Sequence, residues 1–91
     1  MALSRYDIIF TGRVQGVFFR ATAQEIARHH DVAGWVRNER DGSVRCVVEG
    51  DSAELDRFVA AIQLAKQASI DNTDITKLDG TDEFDGFAVR Y

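Results

Sequence analysis

Two stretches of helical periodicity interrupt a chain otherwise patterned as strands, and their order restricts the fold more than any other property. Tyr6–Thr11 is rich in aromatic and β-branched residues and predicts a strand. After a glycine-bearing stretch from Gly12 to Phe19, the residues Phe19, Ala23, Ile26, Ala27 and His30 recur at helical spacing, predicting a helix that runs to about His30. Gly34–Asn38 reads as a second strand, and Asp41-Gly42 as a hairpin turn, since both residues tolerate positive φ. A third strand alternates Val44, Cys46 and Val48 against Ser43, Arg45 and Glu49. Gly50-Asp51-Ser52 stops it, with Asp51 or Ser52 able to cap a second helix whose apolar stripe is Leu55, Phe58, Val59 and Ile62. Beyond Gln63 the pattern weakens; Ile70–Leu78 predicts a fourth strand and Phe87–Tyr91 a closing one.

Strand, helix, strand, strand, helix, strand, with one terminal strand, is the split βαβ order of a ferredoxin-like α+β sandwich (βαββαβ). Two helices are expected on one face of a mostly antiparallel sheet. In that topology the first and second strands run parallel, with the third between them. The loop after strand one and the last residue of strand two then share one sheet edge, roughly 10 Å apart at two inter-strand spacings. Gly12–Arg20 and Asn38 are expected to converge there.

Ninety-one residues suffice for a single domain spanning 1–91 and leave little room for a second core. With 45% hydrophobic and 29% charged residues, the composition is that of a soluble globular protein. No apolar run is long enough to cross a bilayer and the N-terminus has no signal-peptide core, so a cytoplasmic location and no membrane partner are expected. A net charge of −4 argues against a non-specific nucleic-acid surface, although a local site on an acidic protein can still be basic. The single Cys46 lies in an alternating apolar run and reads as a small core residue. One cysteine and two adjacent histidines match no zinc-ligand spacing, so no metal is expected.

Gly12-Arg13-Val14-Gln15-Gly16-Val17-Phe18-Phe19-Arg20 is the most informative segment. Two glycines bracket a bend between a strand and a helix N-terminus, where free amides can cradle an anion. Arg20 falls in the first helical turn, where a cation opposes the macrodipole by about 0.3–1 kcal/mol and a bound anion would compensate it. Its planar guanidinium can hold phosphate through two parallel hydrogen bonds. On spacing alone, a plain turn followed by a solvated arginine explains the segment equally well. The Walker pattern and the dinucleotide fingerprint are both absent. Asn38, at a strand end beside a turn, is an ordinary residue for its place, and only the expected convergence with Arg20 singles it out.

G-R-V-Q-G-V-F-F-R at 12–20, G-W-V-R-N at 34–38 and D-G-S-V at 41–44 resemble the signature segments of the acylphosphatases, in the family's order and over nearly the whole chain. The resemblance implies a ferredoxin-like fold and hydrolysis of small-molecule acyl phosphates such as acetyl or carbamoyl phosphate. It implies that Arg20 binds the phosphoryl oxygens with the backbone amides of Gln15, Gly16, Val17, Phe18 and Phe19, and that Asn38 orients the attacking water. It implies no cofactor. A monomer is expected. The chain departs from many members after the second helix, where A-K-Q-A-S-I-D-N-T-D replaces a proline-containing joint.

Other residues read blandly. His29 and His30 suit a helix C-terminus; Trp35, Phe58, Phe87 and Tyr91 are core candidates; the carboxylates from Asp71 to Asp85 suit a solvated surface. Arg13 and Arg37 flank the expected site. The competing function is a non-catalytic ferredoxin-like module that binds an anion or small molecule without turning it over. An RNA reader would need exposed strand aromatics in an RNP-type pattern and a basic sheet, and neither is visible.

Overall fold

The structure, a computed structural model, describes residues 3–91. Seven elements follow in order: β1 (Ser4–Gly12), α1 (Phe19–Ala27), β2 (Ala33–Asn38), β3 (Val44–Gly50), α2 (Ser52–Ala65), β4 (Ile70–Asp79) and β5 (Phe87–Arg90). The sheet order is β4-β1-β3-β2-β5. Every pairing is antiparallel except β2 with β5. Since β3 runs antiparallel to both β1 and β2, those two are parallel with β3 between them, which is the expected ferredoxin-like arrangement.

Strand alternation decides what the helices cover. Tyr6, Ile8 and Phe10 of β1 stand opposite Val48, Cys46 and Val44 of β3, and all six are buried. Phe19, Ala23 and Ala27 of α1 and Leu55, Phe58, Val59 and Ile62 of α2 close that face into one core. Each large side chain buried there contributes roughly 1.5–3 kcal/mol. Burial also pushes the Cys46 thiol well above its ordinary pKa, as suits an inert core residue.

Four details differ from the sequence expectation. First, α1 ends at Ala27, not near His30. The amides of Arg28, His29 and His30 bond three residues back, to Glu25, Ile26 and Ala27, so the last turn tightens. There the His30 ring meets Glu54 of α2 at 2.9 Å.

Second, Tyr91 is not in the core: it is 94% exposed, beyond the end of edge strand β5. Third, Trp35 is buried but lies outside the core cluster, on the sheet face the helices leave uncovered. The guanidinium groups of Arg37, Arg45 and Arg90 cover its ring at 4.8, 5.6 and 4.8 Å. Phe58 and Phe87 do meet in the core region, edge to face at 5.7 Å. Fourth, Glu83 in the acidic tail segment is not simply solvated, because Arg5 Nη2 donates to it.

Among the described residues no helix is long and apolar enough to cross a membrane. Nor does any group of three His, Cys, Asp or Glu converge as metal ligands would.

Candidate active site

The loop between β1 and α1 is shaped by two unusual backbone positions. Gly12 has φ +122°, and a Cβ there would lie 2.4 Å from the Ser69 carbonyl oxygen, so the chain can pass β4 at this point only as glycine. The register of β1 against β4 shifts at the same place, and the Arg13 amide donates to Ser69 O at 2.9 Å. Phe18, the N-cap of α1, holds φ +60°, a left-handed conformation costing a bulky residue about 1–2 kcal/mol. The residue is 84% exposed, so little burial offsets that cost.

The amides of Gln15, Gly16, Val17, Phe18 and Phe19 donate no hydrogen bond among the described residues. The loop is held instead by other atoms: Lys66 Nζ donates to Val17 O at 2.6 Å, and the Thr22 amide to Phe18 O at 2.9 Å. This loop borders a cleft of about 660 Å³ that Gly16, Phe18, Phe19, Arg20 and Asn38 line together with Tyr91. Loop, helix start and strand end thus converge as the parallel placement of β1 and β2 requires. Gln15 and Val17 do not line it: Val17 packs against the core, and the Gln15 side chain turns to the β2–β3 hairpin.

Arg20 is the second residue of α1 and has no carboxylate within ion-pair distance among the described residues. Its Nη1 donates to Arg90 O at 3.3 Å, and its guanidinium lies 4.7 Å from the Tyr91 ring centroid. Those contacts hold the group at the cleft without neutralising its charge.

Asn38 ends β2 opposite Val44, and its side chain makes no hydrogen bond within the described residues. The hairpin that follows is tightly organised. Glu39 N donates to Ser43 O at 2.8 Å, and the Ser43 amide and hydroxyl donate to Asp41 Oδ1 at 2.9 and 2.6 Å. The Ser43 hydroxyl, followed by its amide, holds the Asp41 carboxyl below the ordinary carboxylate range. Arg37 is tied to Glu39 at 2.9 Å, whereas Arg13 is an exposed loop residue without an ion pair among the described residues.

The sequence model of the acylphosphatase family matches residues 6–89, a span that contains the whole loop, Arg20, Asn38 and the hairpin. The chain belongs to the acylphosphatase family. It is 46% identical over 87 residues to an acylphosphatase of Salinibacter ruber, covering 94% of this chain and 92% of that protein. The crystal structure of acylphosphatase from Bacillus subtilis superposes with a TM-score of 0.89 at 35% identity, covering 97% of this chain and 99% of that one. An acylphosphatase from Coxiella burnetii gives a TM-score of 0.85 at 26% identity, covering 98% and 94%.

Within this acylphosphatase fold, sequence reasoning missed three cleft features. Tyr91 stacks on Arg20, the Arg90 carbonyl accepts from it, and the Gln15 side chain leaves the cleft altogether. The tyrosine could be read only as an aromatic at a strand end. Neither of the other two has any signal in composition or spacing.

Proposed function

We propose that the chain hydrolyses acyl phosphates to a carboxylate and inorganic phosphate, with Arg20 and the loop amides from Gln15 to Phe19 holding the phosphoryl group and Asn38 orienting the attacking water. Membership of the acylphosphatase family supports the reaction class. One observation carries the assignment of roles: an arginine with no carboxylate partner among the described residues shares a cleft with a loop of undonated amides and an unengaged asparagine. An anionic group with several acceptor oxygens can accept from more than one of those donors at once.

The chemistry suits so short a set of groups. In an acyl phosphate the leaving group is a carboxylate, a weak base that departs without a general acid. The work left to the protein is positioning and stabilisation of charge on the phosphoryl oxygens. Bound through its two parallel N–H groups, Arg20 meets two of those oxygens while its Arg90 and Tyr91 contacts hold it in place. The Asn38 amide can accept from water through its carbonyl oxygen and donate through its nitrogen, which fixes a lone pair toward phosphorus. The water's proton is assigned to a phosphoryl oxygen of the substrate, since among the described residues no His, Asp or Glu side chain lines the cleft.

The test is turnover of benzoyl phosphate or acetyl phosphate in the presence of EDTA, beside p-nitrophenyl phosphate. Acyl phosphates are expected to be hydrolysed and the monoester barely touched, because its poorer leaving group needs an acid. Equal rates on the monoester, or loss of activity with the chelator, would overturn the mechanism. Binding of phosphate without turnover of any acyl phosphate would instead favour the non-catalytic anion-binding module.

A further inference from the structure

Gln15 lies within the cradle loop, yet its side chain leaves the cleft for the hairpin that follows Asn38. Its Nε2 donates to Glu39 O at 2.6 Å and to Ser43 O at 2.9 Å. The assignment of the amide nitrogen to this position is dictated by chemistry: two carbonyl oxygens require donors, and the amide's own oxygen would repel both. Both hydrogens of one primary amide are thereby committed to one hairpin. Glu39 directly follows Asn38, and the same Ser43 oxygen accepts the Glu39 amide at 2.8 Å. The β1–β3 ladder stops at Phe10 and Val44, just short of this place. Among the described residues no other hydrogen bond joins the loop at 13–19 to the hairpin at 38–44.

We propose that Gln15 is a positioning residue that ties the phosphate cradle to the hairpin bearing Asn38, so that the phosphoryl group and the attacking water are held in register. The inference rests on the roles proposed above for Arg20 and Asn38. Its physical reason is that water and phosphorus are presented by separate segments of chain, a loop and a strand end. In-line attack needs reacting atoms about 3–3.5 Å apart and aligned, and a displacement of 1 Å can cost 10²-fold in rate. A direct tie between the two segments removes their relative motion, whereas contacts within either segment do not.

The test is Gln15→Met, which keeps an unbranched side chain of similar length and removes both donors. With benzoyl phosphate, kcat is expected to fall by about 10- to 100-fold. KM and the rise in melting temperature caused by inorganic phosphate should stay near the parent's, since the backbone cradle remains. The same substitution is then made in an Asn38→Ala background and followed by single-turnover kinetics at high enzyme concentration. Acting through Asn38, it should there cost less than about twofold. The same loss in both backgrounds overturns the proposal, as does an unchanged kcat in the single variant. Should Gln15→Met not fold, Gln15→Glu, which sets a carboxylate against the two carbonyls, is measured in the same cycle with the same expectations. An Asn38→Ala variant with parental kcat would sink the underlying assignment of Asn38 itself, a result separate from any value in the cycle.

Discussion

The two ends of β1 treat charge in opposite ways. At its start, the buried carboxylate of Glu49 accepts from Arg5 Nε at 2.6 Å, from the Thr81 amide and hydroxyl at 2.9 and 3.1 Å, and from the Asp82 amide at 2.9 Å. Every one of those donors comes from the chain itself, and together they tie the segment before β5 to the sheet. Beyond the other end of β1, the Arg20 guanidinium meets a carbonyl and a ring but no carboxylate, and the amides of Gln15 to Phe19 donate to nothing within the described residues. A charge that the fold satisfies is structural. A charge that it holds in place and leaves unsatisfied is available to a substrate. The two ends are joined, because the segment tied down by Glu49 leads into β5, which ends beside Arg20.

That contrast predicts opposite signatures. The largest expected effect is at Arg20. Arg20→Ala should lower kcat/KM on benzoyl phosphate by about 10³-fold or more, with the melting temperature little changed and the phosphate-induced rise in melting temperature lost. Arg20→Lys should be nearly as damaging, because an ammonium lacks the two-pronged geometry. If the lysine variant keeps most of the activity, Arg20 steers the substrate without clamping it. Next, Asn38→Ala should lower kcat by roughly 10²–10³-fold yet keep the phosphate-induced rise, as expected for a group that holds water. Loss of the rise in this variant, with its retention in Arg20→Ala, would exchange the two roles.

Glu49 should behave in the reverse manner. Glu49→Gln removes the charge facing Arg5 and leaves donors facing donors, so stability should fall by about 1–3 kcal/mol. For a domain of this size each kcal/mol lowers the melting temperature by roughly 4–8 °C. Turnover per folded molecule, measured well below that temperature, should stay near the parent's. The pH dependence sharpens the test. Burial acts to raise the Glu49 carboxyl, but the Thr81 amide, Arg5, the Asp82 amide and the Thr81 hydroxyl outweigh it and hold the group below the ordinary range. A carboxyl lowered in this way adds stability above its unfolded-state pKa of about 4.3, which is lost as pH falls through the lower folded value. Thermal melts of the parent should therefore fall more steeply below about pH 4.3 than those of Glu49→Gln. Parallel curves would show that the carboxylate contributes nothing to acid sensitivity.

The smallest expected effect is at Tyr91. Its stacking on Arg20 is worth about 0.5–1 kcal/mol at an exposed position, so Tyr91→Ala should lower kcat/KM by roughly two- to fivefold. A loss as large as that of Arg20→Ala would mean that the tyrosine builds the site and does more than steady the arginine.

Much of this molecule is determined by the sequence itself, because the relevant signals are local. Alternation placed Val44, Cys46 and Val48 on one face, the stripe from Leu55 to Ile62 marked α2, and the topology alone brought the Gly12–Arg20 loop to the same sheet edge as Asn38. What only the tertiary structure decided is which partner each ambiguous side chain meets. Trp35 and Tyr91 look like core aromatics because strand periodicity says that two faces differ but not which face the helices cover, nor where an edge strand runs out into solvent. Glu49 reads as an outward strand residue until Arg5, Thr81 and Asp82 arrive from distant parts of the chain. Gln15 reads as one more loop amide until its side chain finds two carbonyls 24 and 28 positions away. Secondary structure follows from spacing along the chain. The satisfaction of polar groups depends on spacing in three dimensions, and that exists only once the sheet and helices have packed.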